Sequence, residues 1–305
     1  MVVCAITALA ASHPEPPSAV RLAYMGTAGW QITDGRTTVL VDPYLSRLKR
    51  MTPNDDVAPD DPRQLFNNDD RPESDARVID AHISAADVIL ITHTHYDHAF
   101  DMPYLARKTG AVVVGTESTY YVARAYGISP DKLIRAKGGE DLNLGSISVR
   151  VIPSVHGVLR RAPNVRPGPP APFSVPFDVH APMAVREFVE GGTLAYLIRI
   201  GGRQVLAFGS MNYVEREVEG LRPDVALIGA MAERNEIYDY TPRLLRALSY
   251  PRYVLPTHWD RFNVPYETNQ APAIARLQSF VDEVKRASPK TTVIVPKYFE
   301  WIAVP

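Results

Sequence analysis

The sequence DVILITHTHYDH, residues 87–98, determines how the rest of the chain is interpreted. Its apolar opening predicts a short buried strand. Alternate residues of an extended segment point the same way, so His93 and His95 can bind one metal ion from one side. Asp97 and His98 follow in a turn and can face a second ion. Neutral imidazole and carboxylate are donors that Zn²⁺ favours, so this stretch predicts a metal site just past a strand end.

The pattern His93-x-His95-x-Asp97-His98 resembles the signature of the metallo-β-lactamase fold superfamily. The resemblance extends from about Val20 to the C-terminus and implies one α/β domain, residues 19–305, folded as a four-layer αββα sandwich. Periodicity agrees with a layered α/β fold. Helices are predicted at 102–109, 116–126 and 271–287, and strands at 21–25, 111–114, 147–153, 194–200, 204–208, 225–228 and 253–256.

Two further histidines follow predicted strands. His156 comes after strand 147–153 and precedes a glycine, and His258 comes after strand 253–256. The resemblance implies that His93, His95 and His156 hold one ion. It implies that Asp97, His98 and His258 hold the other, and that Asp97 also orients the attacking water.

Asp42 follows a hairpin predicted around Asp34-Gly35, a strong turn dipeptide. The resemblance implies that an aspartate at this point lies beneath the metal site. There it would accept a hydrogen bond from a ligating histidine and hold that ring in one tautomer. The alternative is a turn or capping aspartate before Pro43.

Ser210 departs from the family pattern. Most members carry an aspartate here that bridges two metals, and a neutral hydroxyl is a poorer bridge. Three outcomes stay open: two ions joined only by water, as in the third subclass of true metallo-β-lactamases; a single ion; or degraded metal binding. Asn212 is a weaker candidate that offers a carbonyl oxygen.

Two polar segments have no regular period. Residues 46–77 predict a long excursion on the metal-site side. Residues 162–182 contain seven prolines, with Phe173, Phe177 and His180 among them, and predict a stiff pocket wall from which His180 contacts substrate. A structural insertion and an oligomer contact are the alternatives. Trp259 and Asp260 either line the pocket or support His258.

Composition excludes several classes of protein. The 305 residues carry a net charge of −1, which gives no field for nucleic acid, and the single cysteine excludes a disulfide framework and a cysteine-based zinc site. No window reaches 18 apolar residues, so stable membrane insertion is not expected. Residues 1–18 are interpreted as an N-terminal extension or a signal remnant, so both a cytoplasmic and an exported location stay open. Formation of a homo-oligomer also stays open.

The expected activity is hydrolysis of an ester or lactone, amide or phosphodiester bond in a small molecule, with two Zn²⁺ ions; one ion, Mn²⁺ and iron remain alternatives. Within the superfamily, segments 29–44, 191–192 and 257–260 resemble the branch of ascorbate-6-phosphate lactonase and N-acylphosphatidylethanolamine phospholipase D. A metal-poor binding protein of the same fold and a β-lactam-hydrolysing enzyme are the alternative functions.

Overall fold

A computed structural model describes residues 19–50, 60–157 and 172–304. The segment interpreted as an extension or signal remnant, 1–18, lies outside the described residues. So do residues 162–171 of the proline-rich segment and residues 51–59 of the polar excursion. Among the described residues, no helix has the length and apolarity needed to cross a membrane.

Within the part of the chain that the structure describes, fourteen strands form two sheets of seven. The first sheet has the order β14-β1-β2-β3-β4-β5-β6, and the second has the order β13-β12-β11-β10-β9-β8-β7. The strands are β1 Val20–Gly26, β2 Gly29–Thr33, β3 Thr38–Val41, β4 Val88–Leu90, β5 Val112–Gly115, β6 Leu133–Arg135, β7 Asp141–Leu144, β8 Ile147–Ser154, β9 Thr193–Ile200, β10 Arg203–Phe208, β11 Val225–Gly229, β12 Tyr253–Thr257, β13 Thr292–Val293 and β14 Trp301–Val304.

Seven α-helices flank the sheets in the described residues. They are α1 Ala76–His82, α2 Tyr96–Ala99, α3 Met102–Thr109, α4 Glu117–Ala125, α5 Glu215–Val218, α6 Tyr240–Ala247 and α7 Ala271–Ala287. One core contains apolar residues of α1, α3 and α4 with one face of the first sheet. The other core fills the space between the sheets and extends to α6 and α7. The predicted four-layer αββα sandwich is confirmed.

The period of two in the central strands explains the layers. Leu40, Ile89 and Val113 belong to the helix-side core, whereas Val88 and Leu90 belong to the core between the sheets. Successive strand residues point to opposite faces, so a strand covered on both sides must be apolar throughout. The run at 87–91 therefore predicts a buried central strand correctly, since β4 pairs with β3 and β5 in parallel.

Strand direction brings the candidate residues together. β3, β4 and β5 are parallel neighbours in the first sheet, and β10, β11 and β12 are parallel neighbours in the second. The carboxyl ends of parallel strands lie at one edge, where ligand sites of open α/β sheets form. Asp42, His93, Ser210 and His258 each follow one of these ends within three residues.

Helix α1 is not among the predicted elements. It lies where the polar excursion 46–77 gives way to β4. Asp75 accepts a hydrogen bond from the backbone N–H of Val78, an N-cap that the local sequence does contain. Only Ile79 of this helix is buried, so the apolar period is too short to mark it.

Truncation of Ile89, which is fully buried, tests the helix-side core. Ile89→Ala should lower the free energy of unfolding by about 2–5 kcal/mol, because a cavity remains beneath α3 and α4. The same change at Ile274, which is 49% exposed on α7, should cost about 0.5 kcal/mol or less. Urea unfolding of both variants gives the comparison, and equal losses would contradict the assigned core.

Candidate metal centre

The first group of candidate ligands is His93, His95 and His156. One ring nitrogen from each lies within 4.8 Å of the others. His93 Nε2 and His95 Nδ1 are 3.1 Å apart, so both nitrogens face the same point. His93 and His95 follow β4, whereas His156 follows β8 of the opposite sheet. The site therefore spans the gap between the two sheets.

The second group is Asp97, His98 and His258, and all three side chains are buried. Asp97 Oδ2 lies 3.2 Å from His258 Nε2 and 3.7 Å from His98 Nε2. Asp97 and His98 lie on the short helix α2, and His258 follows β12. The structure thus brings together all six residues that the sequence predicts as ligands.

Hydrogen bonds orient two of the rings. His98 Nδ1 lies 2.8 Å from Asp42 Oδ2, and His156 Nδ1 lies 2.9 Å from the carbonyl oxygen of Gly157. A donor hydrogen on each Nδ1 leaves Nε2 with a free lone pair. The Nε2 of His98 lies 3.7 Å from Asp97 Oδ2 in its ligand group, and a ring held through Nδ1 in this way is the arrangement that metal-binding histidines adopt.

Asp42 is buried beneath the site, as predicted. Besides His98, it accepts hydrogen bonds from the backbone N–H of Thr92 at 2.7 Å and from Thr92 Oγ1 at 2.6 Å. Its φ is +41°, a conformation that aspartate tolerates better than most residues. A Cβ on Gly209 would lie 1.9 Å from Thr92 Oγ1, so only glycine lets β10 approach this cluster.

The protonation states suit a divalent cation. Burial, with the neighbouring histidines, lowers the pKa of His93 well below its ordinary value. Burial also lowers the pKa of His95 to about 3. Burial opposes ionisation of Asp97, but the adjacent imidazoles of His98 and His258 lower its pKa overall. Neutral imidazoles beside an ionised carboxylate are the forms that bind Zn²⁺ and similar ions, so these residues fit the predicted metal.

Ser210 and Asn212 hold the segment that carries His156. Ser210 Oγ accepts a hydrogen bond from the backbone N–H of Gly157 at 2.7 Å. Asn212 Nδ2 donates to the carbonyl oxygen of His156 at 3.2 Å, and its Oδ1 accepts from the N–H of Tyr213. Both residues therefore connect the end of β10 to the histidine of the opposite loop, and the Asn212 carbonyl is occupied by backbone.

A buried ion pair supports His258. Asp260 Oδ2 pairs with Arg47 Nη1 at 2.9 Å, and both side chains are almost fully buried. Asp260 also accepts hydrogen bonds from Tyr24, Tyr298 and the N–H of Thr27. These bonds hold a turn in which His258 has a φ of +53°. Such a strained backbone conformation is typical of functional sites. Asp260 thus fits the supporting role predicted for it.

The ligands open into a cleft of about 880 Å³. Its apolar wall includes Trp259, Phe262, Phe188 and Met231, so Trp259 lines the cleft as predicted. Arg50 and Asn68 also line it and were not singled out from the sequence, because nothing distinguishes them within the polar excursion. His180 is exposed and is not among the lining residues, so its contact with substrate stays a prediction.

Sequence comparison identifies relatives of the chain. A family model described as Beta-lactamase superfamily domain matches residues 21–258. A protein of Oenococcus oeni named as a metal-dependent hydrolase is 30% identical over 175 residues, which is 54% of this chain. The matched segment spans 58% of that relative, so the chain covers little more than half its length.

Structure comparison gives likenesses at the level of the fold. A metallo hydrolase from the hyperthermophilic archaeon Ignicoccus hospitalis superposes with a TM-score of 0.57 at 16% identity, covering 94% of this chain and 99% of that one. A diiron beta-hydroxylase from Streptomyces venezuelae superposes with a TM-score of 0.56 at 19% identity, covering 96% of this chain and 55% of that one.

Asp42→Asn tests the support of the ligand set. The amide keeps the shape of the side chain but removes the negative charge opposite His98 Nδ1. Metal affinity should fall about 10- to 100-fold, measured as the chelator concentration that removes half of the bound metal. Asp87→Asn is the matched control, since Asp87 bonds the N–H of Thr38 at the other end of β3 and β4. Equal losses in both variants would contradict the assignment.

The metal-free protein should become less stable as the pH falls from about 6.5 towards 4. His93, His95 and His156 have lowered pKa values in the folded protein, so the unfolded chain binds more protons below pH 6.5. His98 opposes this trend, because Asp97 and Asp42 raise its pKa despite burial. Thermal unfolding at pH 7.5 and 5.0 measures the effect, and His95→Asn should reduce it. An unchanged midpoint would contradict it.

Proposed function

The chain belongs to the β-lactamase superfamily, and from this premise we propose that it is a metal-dependent hydrolase of small molecules. One observation carries the proposal. Six side chains form two adjacent groups of three, with one ligand atom from each residue within 4.8 Å of the others in its group. Five of these side chains, all except the fully buried His93, line a cleft large enough for an organic substrate.

We assign zinc to the two groups because the donors are five imidazoles and one carboxylate. His93, His95 and His156 would hold one ion. Asp97, His98 and His258 would hold the other. Asp42 and Gly157 keep two of the rings in the tautomer that binding requires.

When bound, such ions lower the pKa of water and polarise the carbonyl or phosphoryl oxygen of a substrate. The chain's own residues do the rest. Asp97 is ionised near neutral pH, since its pKa is lowered, and it can accept a hydrogen bond from the attacking water and orient it. Trp259, Phe262 and Phe188 exclude bulk solvent from the cleft wall, which strengthens electrostatic interactions inside it.

We propose a lactone, another ester or a phosphodiester as the bond that is cleaved. Support comes from the likeness of segments 29–44 and 257–260 to the lactonase and phospholipase D branch. A second candidate is β-lactam hydrolysis. Ser210 favours this candidate. It accepts a hydrogen bond from the N–H of Gly157 and stands where most of the superfamily has a bridging aspartate, as in the third subclass of true metallo-β-lactamases.

Metal analysis is the first test. Elemental mass spectrometry of the purified protein should find about two zinc ions per chain, and about one in His258→Ala. Ser210→Asp should leave the count unchanged, since the wild-type donors already form two groups. About one ion in the wild type and two in Ser210→Asp would overturn the two-ion site. If the bound metal is iron or manganese, only the assignment of zinc is overturned. If no variant contains bound metal, the proposed hydrolase is overturned.

Activity is the second test. Hydrolysis of lactones, phosphodiesters and β-lactams should be abolished by a chelator and restored by added zinc. Asp97→Asn should reduce kcat by about 100-fold or more, because the orienting carboxylate loses its charge. Hydrolysis that survives the chelator in metal-free protein would contradict the mechanism.

A further inference from the structure

Positive charge is not evenly neutralised in the cleft that holds the ligands. Five arginines line it: Arg50, Arg186, Arg234, Arg261 and Arg276. Arg186 forms an ion pair with Asp69. Arg234 is buried against Glu283, with 2.8 Å between Nη2 and Oε1. No described carboxylate forms an ion pair with Arg50, so this guanidinium keeps its charge available.

The carboxylates of the cleft are committed elsewhere or lie on another element. Asp97 belongs to the ligand set, and Asp260 is paired with Arg47. Glu233 follows β11 of the second sheet, whereas Arg50 follows β3 of the first. An anion that enters the cleft would therefore meet a cation that forms no ion pair with a described carboxylate.

Arg50 is held in place beside the metal motif. Its guanidinium carbon lies 4.5 Å from the ring centroid of Tyr96, the residue between His95 and Asp97. Its Nη2 donates a hydrogen bond to Asn68 Oδ1. A stacked and hydrogen-bonded guanidinium has lost much of its side-chain freedom, so binding a ligand costs it less entropy.

One donor of this arginine has no acceptor among the described residues. Arg50 Nε is buried, and no described residue accepts a hydrogen bond from it. A buried N–H without a partner is costly, and such groups in native proteins usually meet a ligand or water. Nε and an Nη of arginine together form the fork that binds carboxylate and phosphate with two parallel bonds.

We propose that Arg50 is the anion-recognition residue of the cleft and that the substrate carries a carboxylate or phosphate group bound there. The inference rests on the proposed function, because it specifies the substrate class of the same site. The uncharged part of the substrate packs against Trp259, Phe262 and Phe188 on the apolar wall. An amphiphilic organic acid or phosphate ester combines these features.

Binding of three probes tests this directly. The probes are 3-phenylpropionate, phenyl phosphate and the neutral 3-phenylpropionamide, each titrated calorimetrically into the protein as purified and again after dialysis against a chelator. The wild type should bind at least one of the two anions more tightly than the amide, by a factor of about 10 or more. The tighter anion identifies carboxylate or phosphate as the group recognised. Dialysis removes any contribution of bound metal to this preference.

Arg50→Gln should abolish the preference for the anion while leaving binding of the amide within about twofold. Arg252→Gln is the matched control, since Arg252 also stacks on a tyrosine, with its guanidinium carbon 5.1 Å from the ring of Tyr253, and does not line the cleft. This control removes the same charge and should keep the preference. Thermal unfolding of each variant confirms that it is folded.

Retention of the anion preference in Arg50→Gln would overturn the inference, as would its absence in the wild type. Neither result depends on hydrolysis. A preference that disappears in Arg50→Gln, in a protein without metal or activity, would support the anion site and reject the hydrolase. Metal-dependent hydrolysis with an unchanged preference would do the reverse.

Discussion

The buried carboxylate of Asp42 is the contact on which the candidate metal centre depends. It lies at the end of β3 and accepts hydrogen bonds from the backbone and side chain of Thr92 at the end of β4. It also orients His98 through Nδ1. A carboxylate buried at 0% exposure is tolerated only when such donors surround it. The same bonds therefore stabilise the strand ends and direct a ligand, and Gly209 lets the second sheet approach them.

A buried ion pair positions His258, as Asp42 positions His98. Arg47 and Asp260 pair in the interior, and Tyr24 and Tyr298 complete the hydrogen bonding of the carboxylate. Buried ion pairs contribute little net stability compared with apolar residues, but losing one partner is costly. The network is therefore better explained by its positioning of His258 than by a contribution to the stability of the fold. It holds the turn that presents His258 towards Asp97.

Positioning contacts also explain how a serine can occupy the place of a bridging aspartate. Ser210 and Asn212 connect the end of β10 to the segment of His156, so this side of the site is held by neutral hydrogen bonds. A serine at position 210 leaves one carboxylate fewer than a site with the bridging aspartate would have. The electrostatic potential in the cleft therefore depends more on its arginines than it would in such a site. Arg50, stacked on Tyr96, is the one whose position follows directly from the metal motif.

By itself the sequence determined the local features of this protein. The apolar period marked most strands and the helices 102–109 and 271–287, and residue type with order marked the candidate ligands within 93–98, because these signals depend on neighbours in the chain. The family resemblance marked Asp42, His156 and His258. Tertiary structure alone decided the contacts of Arg47 with Asp260, 213 positions apart, and of Ser210 with Gly157, 53 positions apart. Helix α1 was missed because only Ile79 of it is buried, which leaves no apolar period to recognise. Arg50 was missed because it is a polar residue outside any helix or strand. A polar residue in a loop carries no periodic signal, and only the packing of two sheets determines what it faces.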